Sequence, residues 1–444
     1  MAVAFGTDGI RGAANVELTA EVALSLGRAA CGVLGTGTWL IGADTRASGP
    51  MLVAALAAGL ASAGADVVDL GVLPTPGVAF HAQARGCPAA VVSASHNPWT
   101  DNGIKLLASG GRKLTDALEH AIAVNLTAPD RRPSSAVGRI ARAADPVRPY
   151  VEHLVAALEG RRLDGMRVVL DCANGAASAV APAAFRAAGA DVIVVAAVPD
   201  GTNINAGCGS THPAGLQDAV VVAGADAGLA FDGDADRVVA VAGDGALVDG
   251  DRILAICAAD LHRRGRLRGD AVVLTVMSNL GLRQALGALD IATVETPVGD
   301  RYVLEAMEQG GLVLGGEQSG HIIFRDLATT GDGVLTGLVL LDAVARSGQP
   351  LGALAAAAMT RLPQVLRNVA APADAAAAPA VAAAVAAAEA ELGETGRVLL
   401  RPSGTEPLVR VMVEAPTEGQ AAAVADRLSA AVRQAMGRSG GPVP

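Results

Sequence analysis

Lysine is almost missing from this chain. It carries 34 basic residues, yet the only lysines are Lys105 and Lys113. Arginine does not give up its proton in a protein, whereas a desolvated lysine can. Lys105 is therefore a candidate for proton transfer or for a compact phosphate contact, with chance placement as the plain alternative. Aromatic residues are scarce too, at 2%. The core must be built from Ala, Val, Leu and Ile, which the 51% hydrophobic content allows. The five cysteines are far apart and odd in number, with no C-x-x-C among them. That spacing excludes a zinc ribbon and a disulfide framework and suits free, buried thiols in a reducing cytoplasm. Long apolar runs are absent too. A run such as Leu52 to Ala63 falls short of the roughly 20 residues a bilayer span needs, so a mean hydropathy of +0.41 does not indicate a membrane protein. The stretch Met1 to Gly12 lacks the basic start and apolar segment of a signal peptide. Net charge is −10 with scattered arginines, which argues against a nucleic-acid footprint.

What is present is a repeated pattern. Strand, helix and strand are expected at Thr38–Ala43, Gly49–Ala63 and Val67–Leu70. The same succession recurs at Arg167–Asp171, Ala179–Ala188 and Val192–Val195, and again at Ala271–Val276, Leu280–Ala288 and Ile291–Glu295. The phrase Ala-Gly-Ala-Asp closes the helix in the first two. We read three related α/β domains with mixed, mostly parallel sheets. A fourth, smaller α+β domain follows. It has an alanine-rich helix at about Ala380–Leu392, strands at Gly396–Arg401 and Leu408–Glu414, a helix from about Thr417 to Met436, and a frayed tail. The expected domain limits are 1–148, 149–248, 249–362 and 363–444.

Four loops carry chemistry-bearing residues. Ser95-His96-Asn97-Pro98, running on to Asn102-Gly103-Ile104-Lys105, follows the apolar strand Ala89–Val92. A serine at the mouth of a buried strand is a plausible nucleophile or phosphate carrier, though alone the loop also reads as a capped polar turn. Asp232-Gly233-Asp234-Ala235-Asp236-Arg237 joins two apolar runs. Its carboxylates share a direction only if the turn is extended, and they repel unless a cation sits among them. A hard divalent ion with open positions, in the manner of Mg²⁺, resolves this; a solvated acidic hairpin is the alternative. Gly315-Gly316-Glu317-Gln318-Ser319-Gly320-His321 lets backbone approach a polyol, with Glu317 pairing adjacent hydroxyls, or is an ordinary hairpin turn. Arg401-Pro402-Ser403-Gly404-Thr405-Glu406-Pro407 with Arg410 makes an anion nest, or a turn with arginines at strand ends. A glycine-rich opening, Phe5 to Gly12, brings in Arg11.

These loops, in this order and spanning almost the whole chain, resemble the α-D-phosphohexomutase family. The resemblance implies three related α/β domains and a terminal α+β domain around a central cleft, and a homodimer in many members. It implies a phosphate carried on Ser95, Mg²⁺ bound by Ser95, Asp232, Asp234 and Asp236, and a sugar 1,6-bisphosphate as intermediate and activator. Lys105 and His321 would form the proton-transfer pair, and Arg11 and His96 would steady the phosphate on Ser95. Arg237, Glu317 and Ser319 would hold the sugar, and Arg401, Ser403, Gly404, Thr405 and Arg410 its distal phosphate. The wording of Phe5–Gly12 and Gly316–His321 is similar to the branch that acts on glucosamine phosphates and supplies cell-wall precursors. Neutral hexose phosphates are the alternative substrates.

Overall fold

The first strand–helix–strand succession folds as its pattern predicts. Thr38–Ala43 and Asp66–Val72 pair in parallel, with the helix Gly49–Ser62 between them in sequence. They belong to a seven-stranded sheet ordered Ile10–Ala13, Asp101–Ala108, Ala89–Val92, Thr38–Ala43, Asp66–Val72 and Ile140–Arg142, with Arg112–Lys113 added beside Asp101–Ala108. Bulky aliphatics and the fully buried Trp39 fill its core. The helices Ala20–Leu34 and Gly49–Ser62 come so close that a Cβ on Gly27 would lie 2.5 Å from the Leu56 carbonyl oxygen, and one on Gly59 2.2 Å from that of Leu24. Small residues are required at that crossing.

These observations come from a computed structural model that describes residues 9–126, 136–402 and 407–438. A second, five-stranded sheet is ordered Leu247–Val248, Val238–Ala242, Ala227–Phe231, Arg167–Asp171 and Asp191–Val195. A third, four-stranded sheet is ordered Ala292–Thr296, Ala271–Thr275, Leu314–Gly316 and Ile322–Phe324. All three sheets are mixed, with parallel pairs in the body and antiparallel strands toward an edge. The serine loop, the aspartate loop and the Glu317 loop each leave the carboxyl end of a strand: Ala89–Val92, Ala227–Phe231 and Leu314–Gly316. Open α/β sheets put ligand sites at that end. No helix among the described residues is long and apolar enough to cross a membrane.

The chain gathers into two compact units. One contains the three sheets, up to Thr275 and over Ile291–Ala358; the other takes Val276–Asp290 and the chain from Met359. The second unit contains a three-stranded antiparallel sheet, Gln364–Ala370, Leu408–Glu414 and Arg397–Pro402 in that order. Pro379–Leu392 and Glu418–Arg438 are its helices, and Val, Ala and Leu from sheet and helices form one core. The α/β plus α+β class read from the sequence is the class observed. Two details differ. Gln364–Ala370 is a third strand that the sequence reading left unassigned, its buried Val365 and Val369 four apart with exposed residues between them. And the third strand–helix–strand succession gives its helix, Leu280–Gly287, to the second unit.

The reason is a buried carboxylate. Glu414 is fully buried and accepts from Asn279 Nδ2 at 3.2 Å, the Leu280 backbone N–H at 3.1 Å, Gln364 Nε2 at 3.0 Å and Arg397 Nε at 2.9 Å. Arg397 in turn donates through Nη1 and Nη2 to the carbonyls of Val276 and Ser278, both at 2.9 Å. Glu414→Ala would leave the half-buried Arg397 without its counter-ion, a loss of about 3 kcal/mol at the low end of the range for a broken buried pair. We expect hydrogen exchange to rise across 276–290 and in the three-stranded sheet, while protection in the seven-stranded sheet is unchanged.

Candidate active site

Ser95 is buried and its backbone is left-handed, φ +52°. Non-glycine residues adopt that region rarely, and functional sites are where such strain collects. Its hydroxyl donates to Asp232 Oδ2 at 2.5 Å and lies 3.3 Å from His96 Nδ1. Its backbone N–H donates to Ser93 Oγ at 2.9 Å, and the Ser93 hydroxyl donates to Asp44 Oδ2 at 2.6 Å. The aspartate loop presses directly on this turn. A Cβ on Gly233 would sit 2.5 Å from the Ser95 carbonyl oxygen, so the loop has a glycine there.

The three aspartates converge, though not through an extended turn as the spacing suggested. The Ala235 N–H donates to the Asp232 carbonyl at 3.1 Å and Ala235 itself is left-handed, φ +57°. The chain therefore curls, which aims the carboxylates inward. One oxygen of each lies within 4.8 Å of the others, and all three residues are buried. Asp234 Oδ2 accepts from Thr75 Oγ1 at 2.6 Å and from Lys105 Nζ at 2.8 Å; Asp236 Oδ2 accepts from Lys105 at 3.3 Å. Asp232 Oδ1 accepts from the Arg237 N–H at 3.2 Å.

Burial, then repulsion from Asp236 and Asp234, pushes the Asp232 carboxyl well above its ordinary range. Burial acts on Asp236 in the same sense but is outweighed, and Lys105, His321 and Arg237 hold it well below. Asp234 Oδ1 and Asp236 Oδ1 are buried without a hydrogen bond. Orphaned carboxylate oxygens in a cluster of three fit a hard divalent cation, which takes oxygen ligands and relieves the repulsion.

The Glu317 loop docks on the same hairpin, since the Val238 N–H donates to the Gly320 carbonyl at 3.1 Å. Gly315 and Gly316 belong to the strand Leu314–Gly316 rather than to the loop. Glu317 accepts from the Gly299 N–H at 3.0 Å and from Ser319 Oγ at 3.3 Å; Ser319 is exposed. His321 is buried, 3.7 Å through Nδ1 from Asp236 Oδ1 and 3.5 Å through Nε2 from Asp300 Oδ2; Gly331 N–H donates to Nε2 at 3.1 Å. Asp300 is also paired with Lys113, the other lysine. Arg237 Nε stands 3.7 Å from Asp236 Oδ1. Burial, with Arg237 and Arg11 nearby, lowers the His96 pKa and favours its neutral ring. Arg11 lies on the strand Ile10–Ala13, opposite Gly103.

Ser95, His96, Lys105, Arg237, His321 and the three aspartates thus share one neighbourhood in the first unit. In the second unit, Arg401 and Arg410 are cross-strand partners. Burial, then the Arg410 charge, lowers the Arg401 pKa. Like charges directly opposite are destabilising unless an anion joins them. Ser403, Gly404 and Thr405 lie outside the described residues.

Sequence reasoning missed Asp44, Arg46, Thr75 and Asn205. Arg46 is buried and its guanidinium donates to Asp44 Oδ2 at 2.9 Å, to the carbonyls of Ser95 at 2.9 Å, Asn97 at 2.8 Å and Asp101 at 3.0 Å, and to that of Pro98. Asn205 Nδ2 donates to the Ser95 and Asn97 carbonyls at 2.9 and 3.2 Å. The signal for Arg46 was the charged triplet Asp44-Thr45-Arg46 at the carboxyl end of the strand Thr38–Ala43. Nothing in the sequence marked Asn205.

Known proteins resemble the chain over almost its whole length. Four family profiles match in succession: phosphoglucomutase/phosphomannomutase alpha/beta/alpha domain I over residues 2–132, domain II over 148–245, domain III over 249–362, and the C-terminal domain over 365–431. A phosphoglucosamine mutase from Frankia casuarinae is 55% identical over 97% of this chain and 98% of its own length. One from Acidothermus cellulolyticus is 56% identical over 98% and 96%. The crystal structure of a phosphoglucomutase/phosphomannomutase family protein from Burkholderia thailandensis superposes with a TM-score of 0.81 at 27% identity, covering 99% of this chain and 98% of that one. With all four profiles matched in order and more than half of its residues shared with full-length relatives, the chain belongs to the phosphoglucomutase/phosphomannomutase family.

Proposed function

We propose that the protein interconverts glucosamine 6-phosphate and glucosamine 1-phosphate through a phosphoserine at Ser95 and a 1,6-bisphosphate intermediate. The observation that carries the chemistry is the seryl oxygen 2.5 Å from Asp232 within the aspartate cluster. The phosphoglucosamine mutases at 55–56% identity support the amino sugar.

Asp232, Asp234 and Asp236 would hold Mg²⁺. Bound there, the ion supplies positive charge for the transferring phosphoryl group. In the forward half-reaction the free C1 oxygen of the sugar attacks phosphorus and the bond to Ser95 Oγ breaks. The attacking hydroxyl gives up its proton while the departing Ser95 Oγ takes one up; on return the Ser95 hydroxyl gives up its proton as it attacks and the sugar oxygen that leaves takes one up. Lys105, with Nζ at 2.8 Å from Asp234 Oδ2, and His321 are the pair we assign to those proton transfers. His96, kept neutral beside Arg11 and Arg237, and Arg11 itself orient the phosphate on Ser95. Glu317, fixed by the Gly299 N–H, Ser319 and Arg237 hold sugar hydroxyls. The intermediate then turns over, and its other phosphate returns to Ser95. Arg401, Ser403, Gly404, Thr405 and Arg410 grip whichever phosphate is not reacting. Cytoplasmic action and a homodimer belong to the same reading.

Side-by-side rates on glucosamine, glucose and mannose 6-phosphates with Mg²⁺ test the substrate. The expected result is a kcat/KM for the amino sugar at least about 10-fold above either hexose, on the scale of one well-placed polar contact. Equal or higher rates on mannose or glucose phosphates would overturn the substrate reading and leave a general hexose mutase.

A further inference from the structure

The seryl oxygen has to leave a phosphoryl group and recover one at the same point in every cycle. The hydroxyl of a serine on an ordinary loop would sample several positions, because χ1 and the local backbone are soft. Here the backbone around Ser95 is fixed from three directions. Arg46 spends its whole guanidinium on the turn: Nη2 on the Ser95 and Asn97 carbonyls, Nη1 on those of Pro98 and Asp101, and Nε on Asp44. Asp44 Oδ2 receives the Ser93 hydroxyl as well, and Ser93 Oγ receives the Ser95 N–H. Asn205, in the segment after the strand Asp191–Val195 of the sheet that bears the aspartates, donates to the same two carbonyls as Arg46 Nη2. Asp44, Arg46 and Ser93 are all buried. Both backbone groups of Ser95 are therefore occupied, and its left-handed conformation is over-determined by its surroundings.

We propose that Arg46 and Asn205 are positioning residues that hold Ser95 at the transfer point, and that their contribution falls on the chemical step rather than on sugar binding. This rests on the reading of Ser95 as the phosphate carrier. Neither residue contacts the aspartate cluster through the bonds described above, and neither is among the groups assigned to the sugar. A lysine at position 46 could keep the charge beside Asp44. It has one nitrogen at the end of a flexible stem and cannot reproduce a planar fork that reaches carbonyls on both sides. Misplacing a reacting atom by about 1 Å costs roughly 100-fold in rate, so kcat should fall on that scale while KM holds.

The test compares wild type, Arg46→Lys and Asn205→Leu as full-length Mg²⁺ enzymes. Intact mass reads the phosphorylated fraction, thermal melting reads folding, and steady-state rates per phosphorylated site separate kcat from KM. Arg46→Lys is expected to lose about 100-fold in kcat per phosphorylated site with KM within about 2-fold. Its isolated phosphoenzyme should also lose phosphate to water faster than wild type. Asn205→Leu removes the second donor to the Ser95 and Asn97 carbonyls at a left-handed backbone, φ +58°, that leucine tolerates less well than asparagine, so thermal melting is read beside the kcat change, which should be smaller. If Arg46→Lys does not fold, Asn205→Leu carries the test alone, with a kcat loss of about 10-fold expected. Normal kcat in whichever variant folds, or a loss confined to KM, would overturn the proposal. A wild-type enzyme that is active without phosphate on Ser95 would overturn the carrier reading itself.

Discussion

Ser95→Ala should abolish turnover, with kcat down by roughly four to six orders of magnitude, the scale seen when a covalent nucleophile is removed. The substitution is mild for the fold. The buried hydroxyl makes one hydrogen bond to Asp232 and one contact with His96, while the Ser95 N–H and carbonyl that anchor the turn are backbone groups and persist. The left-handed φ of +52° is no easier for alanine than for serine, so some local strain remains. We therefore expect an unchanged far-ultraviolet spectrum and a small shift in melting. In intact mass spectra the phosphorylated species of wild type should disappear in the variant. An alanine variant that kept even 1% of wild-type turnover would mean that phosphate is not relayed through this oxygen.

Asp234→Ala is the second large effect. Asp234 is the aspartate with most to hold, since Thr75 Oγ1 and Lys105 Nζ both donate to its Oδ2 while its Oδ1 is buried without a hydrogen bond. Removing it leaves two carboxylates, and of the two aspartates that Lys105 meets only Asp236, at 3.3 Å, remains. A hard cation then loses a charged ligand, and the Lys105 ammonium beside its site loses one of the carboxylates that balance it. We expect kcat at ordinary Mg²⁺ to drop by at least about 1,000-fold, on the scale of several kcal/mol of lost charge stabilisation. Binding of Mn²⁺ to the protein, read by the disappearance of the free-ion paramagnetic resonance signal, should fall in parallel without substrate present. Unchanged Mn²⁺ binding in this variant would remove Asp234 from the ligand set.

Why some of this was legible from sequence and some not follows from the residues involved. Ser95, the aspartates and His321 stand in short loops directly after apolar strands, so their motifs and their places at the strand ends could be read together; Lys105, expected in the serine loop, lies instead within the strand Asp101–Ala108, where it pairs with Val91. The curl of the aspartate loop could not, because it depends on Ala235 adopting a conformation for which alanine gives no hint. Arg46 lies 49 positions before Ser95, and its role depends on a parallel pairing, Ala43 with Val92, that brings two strand ends side by side. Asn205 reaches Ser95 from a different sheet, with no local pattern to flag it. The strand Gln364–Ala370 was unassigned because apolar spacing of four fits a helix as well as a strand edge. The helix Leu280–Gly287 has the right period for its element, but periodicity says nothing about which core receives it. That was decided by Glu414, more than a hundred residues later.

That last arrangement limits how the molecule can be taken apart or rebuilt. A fragment begun at residue 363, where the sequence pattern invites a cut, would keep the three strands and both long helices. It would lack Asn279, the Leu280 amide and the carbonyls of Val276 and Ser278, which meet the Glu414–Arg397 pair. Grafting the C-terminal portion from a relative, or expressing it alone for crystallography, therefore calls for a matched insert from 276–290 supplied in cis or as a peptide. Chimaeras joined at the obvious seam without it would inherit an ion pair with half its surroundings missing.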